Sequence, residues 1–259
     1  MAIYGGWEVQ DDDTFFPQMI ENGFPITGEN AYEKHQELFN SCNLTQQRTA
    51  VDIGAHVGIW SKFLSPKFEN VVAFEPSASN CSFFEKNTNG LTNITLHQIG
   101  LHDKVLDEPL GDGIKTIERD NNILESGQRT LNIRQLVTGN HGSYKFVNSD
   151  DPNMVDTNPS GVEETDITVS YLDSYNLANV DLIQMHVKGN ELPILIGATS
   201  TIKNHRPIII YQAYADQVAN HNYSLEQIED YFDAMNYDIE DHSSVFSSWN
   251  VEYKIARPI

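Results

Sequence analysis

The stretch Val51-Asp52-Ile53-Gly54-Ala55-His56-Val57-Gly58-Ile59-Trp60 holds residues whose types and spacing suit chemistry. A short apolar run ends in two glycines four apart, with a carboxylate beside them, and a second apolar run follows. After a strand, Gly54 permits a tight turn, and Gly58 opens a helix with its main chain uncovered, so a ligand can approach closely. Dinucleotide sites add a third glycine and aim the helix start at a pyrophosphate. Here the spacing is Gly-x-x-x-Gly, and Asp52 at the strand end suits an ammonium group, not a phosphate. Glu75 ends the next strand, about 20 residues on, where an acid can accept both hydroxyls of a ribose. Gln98-Ile99-Gly100-Leu101 ends a third strand, where main-chain groups can meet an adenine edge. Ammonium, ribose and adenine together describe S-adenosylmethionine. Taken singly, each piece has a plainer reading: the loop as turn chemistry, Asp52 as a cap, and Glu75 before Pro76 as the acid that opens a helix.

These residues need a scaffold, and the pattern supplies one. Residues 1–28 are polar and aromatic without a clear period and read as an arm. Residues 30–42 read as a helix capped by Asn30, with Glu33 three positions later. From residue 49, strands and helices alternate. Strands are expected at Thr-Ala-Val-Asp-Ile (49–53), 70–75, 93–101, 179–187 and 206–212. Helices follow at 57–65, 77–89 (capped by Ser77 or Ser79), 190–204 and 224–236, the last opened by a capping box of Ser224 and Gln227. Such alternation implies right-handed crossovers and a parallel sheet, an α/β fold. Three short strands, at 237–241, 244–249 and 251–256, are expected to make an antiparallel edge. Between Lys104 and about Thr165 the pattern dissolves into Asp, Asn, Gly and Ser, too long for an ordinary loop. It reads as an insertion with short strands, such as 143–147. The division is therefore an N-terminal arm and helix over 1–48, and a main domain over 49–259 carrying that insertion.

The chain has 259 residues, enough to bury a core without disulfide or metal staples. Acids outnumber bases 37 to 16, for a formal charge of -21. So negative a surface repels phosphate backbones and anionic membranes, so neither nucleic acid nor membrane is an expected partner. Two cysteines, Cys42 and Cys81, make no disulfide framework. The first residues show no secretory pattern and no apolar run approaches the length of a membrane span. The expectation is a soluble, cytoplasmic protein. No His, Cys or acid cluster has metal-ligand spacing, so no required metal is expected.

The segments Val51–Trp60, 71–80 (Val-Val-Ala-Phe-Glu-Pro-Ser-Ala-Ser-Asn), 94–103, 171–198 and 206–212 together resemble the FkbM-type methyltransferases. The long fourth segment carries the specific resemblance; the others are common to class I methyltransferases. The resemblance implies a Rossmann-like, mostly parallel sheet of seven strands with helices on both faces and the last pair antiparallel. It implies S-adenosylmethionine as cofactor and O-methylation of a hydroxyl on a small molecule, sugar or glycan. By position, Asp52, Gly54, His56 and Gly58 would line the cofactor loop. Glu75, followed by Pro76, would hold the ribose, and Gly100 and Leu101 would lie near the adenine. His56 stands where the family usually has asparagine.

The departures from the family lie on the acceptor side. Where the family typically reads Asp-Val-Glu-Gly-x-Glu, this chain reads His186-Val187-Lys188-Gly189-Asn190-Glu191, and a further family acid appears as Gln212. A neutral His186 at a strand's carboxyl end can act as a base, since its ordinary pKa of about 6.5 suits proton removal. Lys188 can bind an anionic acceptor. Glu191 can contact the acceptor, or sit in the first turn of its helix where the dipole favours an acid. His141, in the insertion, can reach the cleft. The alternative reading is a methyltransferase fold that has lost catalysis and serves as a binding or structural module, with His186 a core histidine and Lys188 solvated. A nicotinamide-dependent oxidoreductase fits poorly, because Asp52 would sit against a pyrophosphate.

Overall fold

The computed structural model describes residues 2–103, 129–135, 144–147, 164–212, 214–219, 223–249 and 251–259. The arm is more ordered than its composition suggests. Strands β1 (Ala2–Tyr4) and β2 (Trp7–Val9) form a hairpin, and helix α1 (Phe15–Glu21) follows. Asp13 opens α1 from outside, its Oδ1 accepting from the Phe15 and Phe16 amides. Helix α2 (Glu33–Ser41) starts two residues later than the expected Asn30 cap would place it, with Tyr32 in the cap position. Tyr32 holds a left-handed φ of 66° there, with its amide bonded to the Pro25 carbonyl. That bond fixes the entry to the helix, so Asn30 serves only through its carbonyl, which accepts from the Glu33 amide.

The alternation then runs β3 (Thr49–Ile53), α3 (Ile59–Leu64), β4 (Asn70–Phe74), α4 (Ala78–Asn87) and β5 (Ile94–His97). Ser77 is the cap of α4, accepting from the Asn80 amide. The expected third strand, 93–101, is broken. The Ile99 amide turns back to the His97 carbonyl, and Gly100–Leu101 becomes β6 in a different sheet. Within the span read as an insertion, β7 (Arg129–Gln135) and β8 (Tyr144–Val147) pair with each other, and β7 pairs with β9 (Glu164–Ser170). With β6 they make a four-stranded sheet of order β6-β9-β7-β8. His141 lies outside the described residues.

The chain returns to the main sheet with β10 (Val180–Met185). The single helix expected over 190–204 is two, α5 (Glu191–Gly197) and α6 (Thr199–His205). The break at Ala198 has a cause: the Asp173 carboxylate accepts from the Ser200 and Thr201 amides, capping a new helix start from outside. Then come β11 (Ile208–Tyr211), α7 (Ala215–Ala219), α8 (Leu225–Ala234, with the capping box of Ser224 and Gln227 in place), β12 (Tyr237–Asp241) and β13 (Lys254–Pro258). The strand expected at 244–249 is instead a short 3-10 segment, Ser243–Trp249. It buries Phe246 against His35 and Tyr253 and leaves the serines outside.

The main sheet has seven strands in the order β12-β13-β11-β10-β3-β4-β5. All are parallel except β13, which runs against both neighbours. Alternate residues feed two cores, as a sheet covered on both faces requires. Val51, Ile53, Ile183 and Met185 pack on one side against α5, α6 and α8. Ala50, Val71, Leu182 and Ile210 pack on the other against α2, α3 and the arm. The reversal of crossover direction falls between β3 and β10, and in open α/β sheets that point makes a crevice at the strands' carboxyl ends.

Candidate active site

The crevice begins where β3 stops. Gly54 takes a φ of 78°, and its amide and that of Ala55 both bond the Phe74 carbonyl. A side chain at Gly54 would put its Cβ 2.4 Å from the His186 carbonyl oxygen, so glycine is required for conformation and for space. Gly58, with φ of 97°, precedes α3. Between them His56 is also left-handed, at 50°, and its amide donates to Glu75 Oε2 at 2.9 Å. Loop and second-strand acid are thereby joined. Glu75 Oε1 accepts from the Ser77 amide (3.0 Å) and Asn80 Nδ2 (3.1 Å). Burial pushes the Glu75 carboxyl up, against the pull of these three hydrogen bonds.

Asp52 is fully buried. Its Oδ2 accepts from Ser61 Oγ at 2.6 Å, while Oδ1 has no hydrogen-bond partner. Gln184 stands opposite it in register on β10, also buried, with both side-chain polar atoms unpartnered. Burial is the main reason the Asp52 carboxyl is pushed up to about 7, and the charge of Glu75 adds to it. An unpaired buried carboxylate is costly, so Oδ1 calls for a proton or a cationic donor.

Beside this lies the end of β10. The His186 amide bonds the Ile53 carbonyl, which ties it to the glycine loop. The His186 ring is held well below its ordinary value by burial, then by the charges of Lys188 and His56, so it is neutral near pH 7. Its Nε2 is buried without a hydrogen-bond partner. Lys188 is half-buried at a left-handed φ of 54°, which costs a non-glycine residue about 1–2 kcal/mol. Burial lowers its ammonium, opposed by the charge of Glu191.

Glu191 does not open onto the crevice. It is buried in the first turn of α5, with Oε1 accepting from the Gly189 amide at 3.3 Å and Oε2 lying 3.3 Å from the Tyr223 hydroxyl. Tyr223 donates to the Gly189 carbonyl at 2.7 Å. Burial pushes the Glu191 carboxyl up to about 7. Thus Glu191 and Tyr223 clamp the turn that displays Lys188. Asn190 ties the same turn to the second sheet, its Nδ2 donating to the Leu101 carbonyl at 2.9 Å.

Asp52, Gly54, His56, Gly58, Glu75, His186 and Lys188 therefore converge at the carboxyl ends of β3, β4 and β10. Pro76 follows Glu75 directly. Gly100 and Leu101 are buried in β6, one hydrogen bond away through Asn190. Gln212, just past β11, is buried on the side of Tyr253. His97 is stacked on Phe74, with ring centroids 5.1 Å apart. Residues that the sequence did not point to are Ser61, Asn80, Gln184 and Tyr223. Of these only Asn80 had a local signal, three residues after a capping serine. Among the described residues no group of three or more His, Cys, Asp or Glu could hold a metal ion. No described helix is long and apolar enough to cross a membrane.

A comparison with curated proteins finds no match. Among solved structures, a methyltransferase FkbM from Methylobacillus flagellatus KT aligns at 18% identity and a TM-score of 0.46, over 82% of this chain and 43% of that one. This chain thus spans less than half the length of that protein. Precorrin-6y C5,15-methyltransferase from Geobacter metallireducens GS-15 aligns at 14% identity and a TM-score of 0.45, over 88% of each chain. SMU.1697c of Streptococcus mutans, in complex with SAH, aligns at 8% identity and a TM-score of 0.47, over 88% of this chain and 97% of that one. The Methyltransferase FkbM domain matches residues 52–239, from the acid of the glycine loop to the strand after α8. On that match, which spans most of the chain and the whole crevice, the protein belongs to the FkbM methyltransferase family.

Proposed function

We propose that this chain is an S-adenosylmethionine-dependent methyltransferase that methylates a hydroxyl group on a small molecule, sugar or glycan. The observation that carries the reading is the pairing of the Gly54–Gly58 loop with two buried acids, Asp52 and Glu75, at the ends of adjacent strands. The residues present fit the cofactor. Asp52 Oδ1, buried and unpartnered, suits the ammonium group. Glu75, oriented by three donors, suits the ribose hydroxyls. A Cβ at Gly54 would fill the cradle between β3 and β10. S-adenosylmethionine supplies a methyl group on a positively charged sulfur, which keeps the bonding electron pair when the methyl leaves.

The protein's part is to align the acceptor and to take its proton. His186, neutral and with Nε2 unpartnered, would accept the hydroxyl proton as the new carbon–oxygen bond forms. A second reading keeps the fold as a binding module without catalysis. It is favoured by the burial of Nε2, which leaves that atom without contact to solvent.

Calorimetric titration with S-adenosylhomocysteine, on the wild type and on Glu75→Ala, tests the cofactor site. Binding that weakens by about a hundredfold in the variant is expected, from two ribose hydrogen bonds to a charged group. No binding by a folded wild type sinks the reading. Retained turnover in His186→Ala, once an acceptor is found, removes His186 from the base role.

A further inference from the structure

We propose that Lys188 is a seat for a small anionic group, a carboxylate or phosphate, in the turn that follows the carboxyl end of β10. The proposal rests on the reading of this crevice as the cofactor and acceptor site, and adds the charge of what sits there. Lys188 makes no hydrogen bond, ion pair or ring contact with any described residue. Other half-buried cations are provided for. Arg48 and Arg257 pair with carboxylates, Arg206 with main-chain carbonyls, and Lys62 and Lys67 lie over aromatic rings. An ammonium left without a partner is unexpected in a chain with 37 acids and 16 bases. The carboxylate that it feels, Glu191, is spent on the Gly189 amide and the Tyr223 hydroxyl, inside the turn.

The main chain supports the same conclusion. Lys188 is held left-handed, and Gly189 after it is also left-handed, at 97°. Three side-chain contacts, from Glu191, Tyr223 and Asn190, lock the turn in that shape. Strain of this kind persists where the surroundings over-determine it, and it clusters at ligand clamps. A charge-assisted contact from a partly desolvated lysine is a recognition pattern for an oxyanion.

Two sources could supply that anion: the amino-acid carboxylate of the cofactor, or an acidic acceptor. Calorimetry with S-adenosylhomocysteine and with methylthioadenosine, which has the same nucleoside but no carboxylate, separates them on wild type, Lys188→Met and Lys188→Arg. If the cofactor's carboxylate sits on Lys188, the methionine variant loses about tenfold or more for S-adenosylhomocysteine and nothing for methylthioadenosine. If an acceptor's does, nucleoside binding is unchanged. Acetate or phosphate then raises the melting temperature of the S-adenosylhomocysteine-loaded wild type over chloride at equal ionic strength, and not that of Lys188→Met. Lys188→Arg keeps the charge and is expected to keep whichever effect appears; loss in both variants alike overturns the seat. Equal nucleoside binding and equal anion response in wild type and Lys188→Met also overturn it. Should the wild type bind neither nucleoside, the cofactor reading fails by itself. The acetate and phosphate titrations of the unliganded protein then decide: a Lys188-dependent response supports the seat and its absence overturns it.

Discussion

Asp52 shows how a single side chain links the cofactor site to stability. Its carboxyl is pushed up to about 7, mainly by burial, so the folded state holds its proton more tightly than the unfolded chain does. An acid raised in this way stabilises the fold fully below its ordinary value near 4. The contribution is lost as pH rises from about 4 to about 7, because ionisation is easier in the unfolded chain. Asp52→Asn removes the ionisation and keeps the shape. Its stability relative to wild type is therefore expected to improve over that window, by roughly 4 kcal/mol at most, taking a three-unit shift at 1.36 kcal/mol per unit. Urea unfolding of both proteins at several pH values measures it. A difference that does not change with pH would mean that Asp52 ionises normally in the fold. At this scale the sequence was legible where chemistry sits on consecutive residues. Asp52, Gly54, Gly58 and Glu75 were all readable, because strand ends and tight turns leave local marks. Gln184 and Tyr223 were not. Gln184 matters because it faces Asp52 across 132 positions, and Tyr223 because it reaches back 34 residues to the Gly189 carbonyl. Nothing in a window of ten residues encodes either.

The elements were legible in type and less so in their ends. Strands with continuous apolar runs, such as β3, β10 and β11, fell where expected, since both faces of the sheet are covered. Helix starts separate into two kinds. Where the cap is the preceding residue, as with Ser77 and Ser224, the start could be read. Where it comes from elsewhere, as with Asp173 on α6 or the Tyr32 turn before α2, it could not. Aromatic residues misled at 244–249, where Phe246 is drawn inward by His35 and Tyr253 although the serines around it face water. The readable caps yield a direct prediction. Ser224→Ala removes half of the capping box on α8 and is expected to cost about 1 kcal/mol. Chemical denaturation tests it; no loss of stability would show that the α8 packing of Ile228, Tyr231 and Phe232 alone holds that helix end. Binding of S-adenosylhomocysteine is expected to be unchanged, because Ser224 is exposed at the start of α8 and is not among the residues of the crevice.

For the whole molecule, 37 acids against 16 bases leave a net charge of -21 however the bases are paired. Among the described residues, Arg48–Asp181, Lys34–Glu37 and Arg257–Glu240 are close pairs between a cation and an acid, and all are partly exposed. Self-repulsion of this size loosens a compact state and is screened by salt. Raising sodium chloride from about 0.05 M to about 0.5 M is expected to raise the thermal midpoint by a few degrees. A fall on adding salt would show that the ion pairs outweigh the net repulsion.

Strand β3 pairs on one side with β4, about 20 residues away, and on the other with β10, which arrives some 130 residues later. The Arg48 side chain closes that second seam on Asp181, across the same distance. During synthesis, β3, β4 and β5 can therefore assemble early, with the inner edge of β3 bare of a neighbour. That edge is apolar apart from Thr49 and Asp52, and an unpaired apolar edge is where nascent chains associate wrongly. Everything between β5 and β10, including the second sheet, must emerge before the edge is covered. The crevice thus comes into being in a single late step, when β10 docks and brings Gln184, His186 and Lys188 with it. Slow refolding and a need for protection at that stage follow from the order of strands alone.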